Sequence, residues 1–148
     1  MKIAYIGSGY VGQVSAAGAA HCGHDVILID VVKEKVEKIN QGCPTIYEEG
    51  LDEMLAKLVK EEKKLKASEN LAEAIQTTDA SFICVGTPDK GGMIDLSYIQ
   101  EVAKTIGKAL RSHQGFHVVI VKSTVIPGTT LNVVKPLLEE FSGKKAYD

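Results

Sequence analysis

Lys2-Ile3-Ala4-Tyr5-Ile6-Gly7-Ser8-Gly9-Tyr10-Val11-Gly12 lies at the start of the chain and decides how the rest is read. Ile3 to Ile6 is a short apolar run of the kind that forms a buried strand. Three glycines follow at the spacing Gly-x-Gly-x-x-Gly, and from Tyr10 to Cys22 the chain is rich in Ala and other small residues, ended by Gly23. That pattern predicts a helix packed closely on a sheet. Gly7 permits the tight turn, Gly9 lets the backbone approach a ligand, and Gly12 lets helix and strand close together. An anion would then rest on free N–H groups at the helix start, where the helix dipole also favours negative charge.

Working outward, Val26 to Ile29 predicts a second strand and Val32 to Gln41 a helix closed by Gly42 and Pro44. Leu51 to Lys64 places Leu51, Met54, Leu55, Leu58 and Val59 on one stripe, and Leu65-Lys66-Ala67 is a short strand before a brief helix through Ile75. Ser81 to Val85 and His117 to Val121 predict buried strands on either side of a long helix from Leu96 to Leu110. Pro127 suits a first helical turn, ahead of a helix from about Thr129 to Phe141. Short apolar runs alternating with amphipathic ones imply an α/β fold, a doubly wound parallel sheet in three layers. Gly143 to Asp148 suits a turn into a further strand. The sheet is therefore expected to lack its last strand and to expose an edge, through which two copies could pair as a homodimer.

The totals narrow the class. A chain of 148 residues, 45% hydrophobic and 24% charged, fits one globular domain over 1–148. A formal net charge of -2 with scattered Lys and Arg gives no face for nucleic acid. Cys22, Cys43 and Cys84 are odd in number and widely spaced, which argues against a disulfide framework and suits a reducing cytoplasm. Cys22 at a helix end and Cys84 within a strand read as structural. His21, His24, His113 and His117 include no pair at metal-ligand spacing on one helix face, so no metal is expected. Met1 to Ile6 begins a strand at once, leaving no room for a signal leader, and no apolar run approaches membrane-spanning length.

Asp30 lies about twenty residues beyond the glycines, where the second strand runs out. A carboxylate there accepts both hydroxyls of an adenosine ribose, which with the glycine turn points to a dinucleotide. The same charge would repel a 2′-phosphate, and Val31 and Val32 supply no Arg to hold one, so NAD is favoured over NADP; Lys33 and Lys35 weaken that exclusion. The rival reading of Asp30 is a cap for the following helix.

At this point the chain resembles the UDP-glucose/GDP-mannose dehydrogenase family in its N-terminal, NAD-binding domain. The opening Gly-Tyr-Val-Gly is one match; Ile46-Tyr47-Glu48-Glu49-Gly50-Leu51, Val85-Gly86-Thr87-Pro88 and Lys122-Ser123-Thr124-Val125-Ile126-Pro127-Gly128-Thr129 follow in order. Glu49 stands where the family usually has Pro, which leaves that loop less rigid. The resemblance implies a Rossmann-type fold and an enzyme that oxidises the C6 hydroxymethyl of a nucleotide-linked sugar to a carboxylate, passing two hydrides to two NAD. It places Gly7, Gly9, Tyr10, Val11, Gly12, Val85, Gly86, Thr87 and Ser123 at the cofactor and Asp30 and Lys35 at its ribose. It puts Thr124 near the nicotinamide and the reacting carbon, as a cofactor contact and a catalytic group. The rivals are a solvated Lys35 and a Ser123-Thr124 helix cap.

The family's nucleophile is a Cys of a later domain, assisted there by Lys and Asn. The chain is therefore expected to bind NAD without turning over, its nucleotide-sugar substrate being held mainly elsewhere. Two other readings stay open, a stand-alone NAD-binding redox sensor and an S-adenosylmethionine-dependent methyltransferase.

Overall fold

The computed structural model describes residues 1–146; Tyr147 and Asp148, at the end of the stretch expected to lead into a further strand, lie outside the described residues. The strands are β1 (Lys2–Ile6), β2 (Asp25–Ile29), β3 (Leu65–Ser68), β4 (Ala80–Ile83) and β5 (Val118–Val121). They are parallel throughout and lie in the order β3-β2-β1-β4-β5. Between and after them come α1 (Tyr10–His21), α2 (Lys33–Asn40), α3 (Leu51–Ala56), α4 (Leu71–Thr77), α5 (Ser97–Leu110) and α6 (Lys135–Ser142). This is the Rossmann-type α/β architecture expected from the alternation of short and long apolar segments. The order reverses between β1 and β4, which opens a crevice at the carboxyl ends of the strands.

Side chains of a strand alternate between the two faces of its sheet, so a strand covered on both sides must be apolar throughout. Ile3 and Tyr5 of β1 join a core with Ala16, Ala17 and Ala20 of α1 and with Leu55 and Leu58. Ala4 and Ile6 face the other way, into a core with Ile75, Ile83, Ile99 and Ile106. Tyr5 stacks on Phe82 of the neighbouring strand with ring centroids 4.7 Å apart. Ala16, Ala17 and Ala20 of α1 are completely buried, as close packing of that helix requires.

Several local expectations give way to backbone chemistry. The helix that begins at Leu51 widens to π spacing over Lys57–Glu61 and stops before Lys63, whose φ is 53°. There the Lys64 amide closes on the Leu58 carbonyl at 2.9 Å, a left-handed helix stop. The helix expected from Thr129 is π-wide over Thr130–Val134 before α6. Pro136 lacks an N–H and its ring presses on the carbonyl four residues back, which disfavours α spacing just ahead of it. Pro127 is not in a helical turn, because Gly128 adopts a φ of 88° and Thr129 N–H closes a turn on the Ile126 carbonyl at 3.2 Å. β4 ends at Ile83, so Val85 belongs to the loop beyond it. Cys22 is exposed in the turn after α1, and Cys43 is exposed too, while Cys84 is buried.

β5 pairs with β4 and, among the described residues, with no other strand, so its outer edge is open as expected. Beside it runs an apolar groove lined by Leu110, Phe116, Val118, Leu131, Val134 and Leu138. Among the described residues no helix is long and apolar enough to cross a membrane.

α5 and α6 close on one another at Gly107, where an added Cβ would lie 2.8 Å from Phe141 Cβ and 3.3 Å from the Leu137 and Leu138 carbonyl oxygens. Gly107→Ala gains about 1 kcal/mol of helix propensity. Forcing a methyl into this contact costs about 1–3 kcal/mol. The clash is with backbone and a β-carbon, which yield little, so the variant is expected to melt a few degrees lower by calorimetry; an equal or higher Tm would contradict this packing.

Candidate functional site

The glycine turn, Asp30, the Val85–Pro88 stretch and the Lys122–Thr129 stretch follow the carboxyl ends of β1, β2, β4 and β5. Gly7 follows β1 with a φ of 103°, and a Cβ there would lie 2.8 Å from the Cys84 carbonyl oxygen. A Cβ on Gly12 would fall 1.8 Å from the Gly7 carbonyl oxygen, a contact that nothing but glycine allows. Gly9 differs from both. Its φ of -72° suits any residue, and a Cβ there would meet nothing within 4 Å. The bare side of Gly9 therefore faces outward, at the start of α1, which is where an incoming ligand would need the room.

The amides around Gly9 are available to such a ligand. The Gln13 amide donates to the Gly9 carbonyl at 2.9 Å, at the start of the helical ladder. The N–H groups of Tyr10, Val11 and Gly12 precede it and have no acceptor within the helix. No acidic residue occupies the first turn of α1, so no side chain of that turn competes for the positive end of the dipole. Tyr10 and Val11 are exposed.

Asp30 faces this turn from the end of β2. One carboxylate oxygen accepts the Ser8 amide at 2.9 Å and the Ser8 hydroxyl at 2.5 Å; the other accepts the Val32 amide at 3.0 Å. Burial alone would raise the Asp30 pKa, but the two Ser8 bonds, the Val32 amide and the Lys35 ammonium together hold it below the ordinary carboxylate value. Lys35 Nζ lies 3.9 Å from the carboxylate, so the residue is paired there and not simply solvated. The bond to Val32 fastens the entry to α2, whose N-cap is Val32 with no side-chain cap bond, so Asp30 braces the chain ahead of that helix and is not its cap, while the rest of the carboxylate faces Ser8. Lone pairs left on the carboxylate can accept ribose hydroxyls.

On the other side of the turn, Ser123 and Thr124 join the β4 and β5 loops. The Ser123 hydroxyl lies 2.7 Å from the Val85 carbonyl and 3.2 Å from that of Ile83, and Thr87 donates its hydroxyl to the Thr124 carbonyl at 2.9 Å. Ser123 is thus a strand tie and not a helix cap. Val85, Gly86, Thr87, Ser123 and Thr124 stand together, with Gly86 and Thr124 exposed. Burial pushes the Cys84 thiol up to about 11, with Lys122 pulling slightly the other way, so it stays protonated at neutral pH. His117 is hydrogen-bonded to the Thr78 carbonyl and Ser81 hydroxyl, at 2.9 and 3.1 Å. Among the described residues no group of three His, Cys, Asp or Glu could hold a metal ion.

Two site residues escaped the sequence reading. Ser8 fills the x of Gly-x-Gly, a position the pattern leaves free, yet it is completely buried on Asp30. Gln13 shares the buried face of α1 with Ala16, Ala17 and Ala20; a polar amide on that stripe was the available signal.

Because the folded pKa of Asp30 is depressed, its stabilising contribution is fully present above about 3.9, the unfolded value, and is lost as pH falls through the folded pKa. Ser8→Ala deletes the hydroxyl bond and leaves the amide bond. Its Asp30 carboxyl is expected to titrate at higher pH than in the parent when followed by side-chain carbon NMR; superimposable curves would contradict the role given to Ser8.

Comparison with known proteins places this geometry. Residues 1–148 match the UDP-glucose/GDP-mannose dehydrogenase family, NAD binding domain. The GDP-mannose 6-dehydrogenase of Azotobacter vinelandii is 48% identical over 147 residues, covering 99% of this chain and 34% of that protein. The UDP-glucose 6-dehydrogenase of Haloferax volcanii is 38% identical, with 34% of its length covered. A crystal structure of a ternary complex of GDP-mannose dehydrogenase from Pseudomonas aeruginosa superposes with a TM-score of 0.95 at 45% identity, covering 98% of this chain and 33% of that one. The chain thus spans about a third of the length of the relatives it matches. It belongs to the UDP-glucose/GDP-mannose dehydrogenase family, as the NAD-binding domain.

Proposed function

We propose that this chain seats NAD across the carboxyl ends of its strands and serves as the cofactor half of a nucleotide-sugar 6-dehydrogenase. The observation that carries this reading is the outward-facing Gly9 and the free amides of α1, set against an Asp30 carboxylate held ionised by Ser8. The diphosphate rests on the amides of Tyr10, Val11 and Gly12 at the positive end of the helix dipole. Asp30 accepts from the adenosine ribose with Lys35 beside it, and Val85, Gly86, Thr87 and Ser123 line the cofactor beyond. Bound NAD supplies the hydride acceptor. Thr124, exposed at the end of β5, is the group of this chain set nearest the reacting carbon, where its hydroxyl orients a water or the sugar oxygen.

The parent reaction takes a C6 hydroxymethyl to a carboxylate, a four-electron change that needs two NAD. A covalent route needs a thiolate, and Cys84 is buried and protonated at neutral pH. The chain spans about a third of its relatives' length, and the family resemblance puts the nucleophile and most of the sugar-binding surface in a later domain, so this chain is proposed to bind NAD without turnover. Family membership favours this over a stand-alone redox sensor or a methyltransferase. A cytoplasmic setting suits its three unpaired cysteines.

NADH titrated into the chain is expected to change in fluorescence as it binds. Loss of the charge-assisted bonds in Asp30→Ala should weaken binding at least tenfold, about 1.4 kcal/mol. NADPH should bind less tightly than NADH, because its 2′-phosphate meets the carboxylate. No signal at millimolar NADH, or equal affinity in the variant, would refute the assignment.

The open β5 edge is proposed to pair with a second copy. Sedimentation at high concentration is expected to give the dimer mass, and a monomer there would count against that pairing.

A further inference from the structure

Gln13 has no counterpart in the glycine-turn pattern, and its side chain is completely buried on a face of α1 otherwise made of small residues. Burying an amide costs free energy unless its polar atoms are all paired. Here they are. Gln13 Nε2 donates to the Ser8 carbonyl at 3.0 Å and to Thr45 Oγ1 at 2.8 Å, and Gln13 Oε1 accepts the Thr45 amide at 2.9 Å. A leucine would fill similar space without needing a partner, so the polarity of the position is accounted for by what it joins.

What it joins is the cofactor turn to the segment from Cys43 to Gly50. Ser8, held by Gln13 through its carbonyl, grips Asp30 through its amide and hydroxyl. A continuous series of short hydrogen bonds thus runs from Thr45 through Gln13 and Ser8 to Asp30. Beyond Thr45, Ile46 rests against one core, while Tyr47, Glu48 and Glu49 are exposed before Gly50, with a φ of 78°, leads into α3.

We propose that Gln13 is a positioning residue that couples occupancy of the dinucleotide site to the order of the Cys43–Gly50 segment. The proposal rests on the NAD reading above. A ligand that fixes the Ser8 peptide and Asp30 also fixes the carbonyl to which Gln13 is tied, and with it the amide and hydroxyl of Thr45. The exposed phenol of Tyr47 and the carboxylates of Glu48 and Glu49 are the groups whose placement then depends on the cofactor. Coupling of this kind is reciprocal, so releasing the segment weakens the cofactor by the same factor.

The test is limited proteolysis of the full chain with a glutamate-specific protease, cleavage after Glu48 and Glu49 being identified by fragment mass, with and without NADH. Such cleavage reads local opening of the segment. In the parent, saturating NADH is expected to slow this cleavage several-fold. Gln13→Leu should be cut faster than the parent without NADH, should lose most of the NADH-dependent protection at saturation, and should bind NADH several-fold less tightly. Thr45→Val, which removes the hydroxyl acceptor but keeps the amide bond, should fall between the two; it decides the matter if Gln13→Leu lacks a cooperative melt. NADH that binds all three proteins and protects them equally overturns the coupling and leaves the NAD reading standing. A parent that binds no NADH overturns both.

Discussion

The first helix can sit on the first strand because Gly12 presents no β-carbon to the Gly7 carbonyl, 1.8 Å from where one would lie. That approach sets the angle at which α1 leaves the sheet and aims its first amides across the crevice between β1 and β4. The crevice itself comes from strand order, since the chain winds one way through β1, β2 and β3 and the other through β4 and β5. Packing and binding thus share one cause. A side chain at position 12 would lift the helix and carry its amides away from Asp30.

Electrostatics then separates the two sides of the site. At the helix start, backbone dipoles supply partial positive charge without any Lys or Arg, which suits a diphosphate. At the end of β2, a carboxylate is kept ionised in spite of its partial burial by hydrogen bonds from Ser8 and Val32. The Ser123 hydroxyl and the Thr87 hydroxyl lock the β4 and β5 loops together on the far side. The buried Cys84 thiol beneath the turn has no thiolate to offer at neutral pH.

Much of this was legible in the sequence because it rests on local patterns. Uninterrupted apolar runs such as Ile3 to Ile6 announce strands covered on both faces, and alanines at helical spacing announce a close-packed α1. Glycine spacing and Asp30 announce a dinucleotide. What was not legible depends on contacts distant in sequence or on single backbone angles. Ser8 meets Asp30 twenty-two residues away and Gln13 meets Thr45 thirty-two away, distances no periodicity encodes. Pro127 falls in a turn ahead of the helix, and not in its first turn, because Gly128 is left-handed, and the π-wide stretch before α6 follows from Pro136. Cys22, expected to be structural, is exposed because the helix ends one residue earlier.

The most direct measurement of the central claim is a map of backbone amide NMR shifts as NAD is added to the isotope-labelled chain. The largest changes are expected at the amides of Gly9, Tyr10, Val11 and Gly12, with a second group at Ser8 and Val32 around Asp30. Shifts gathered instead along the open edge of β5 and its apolar groove, with the start of α1 unmoved, would contradict it.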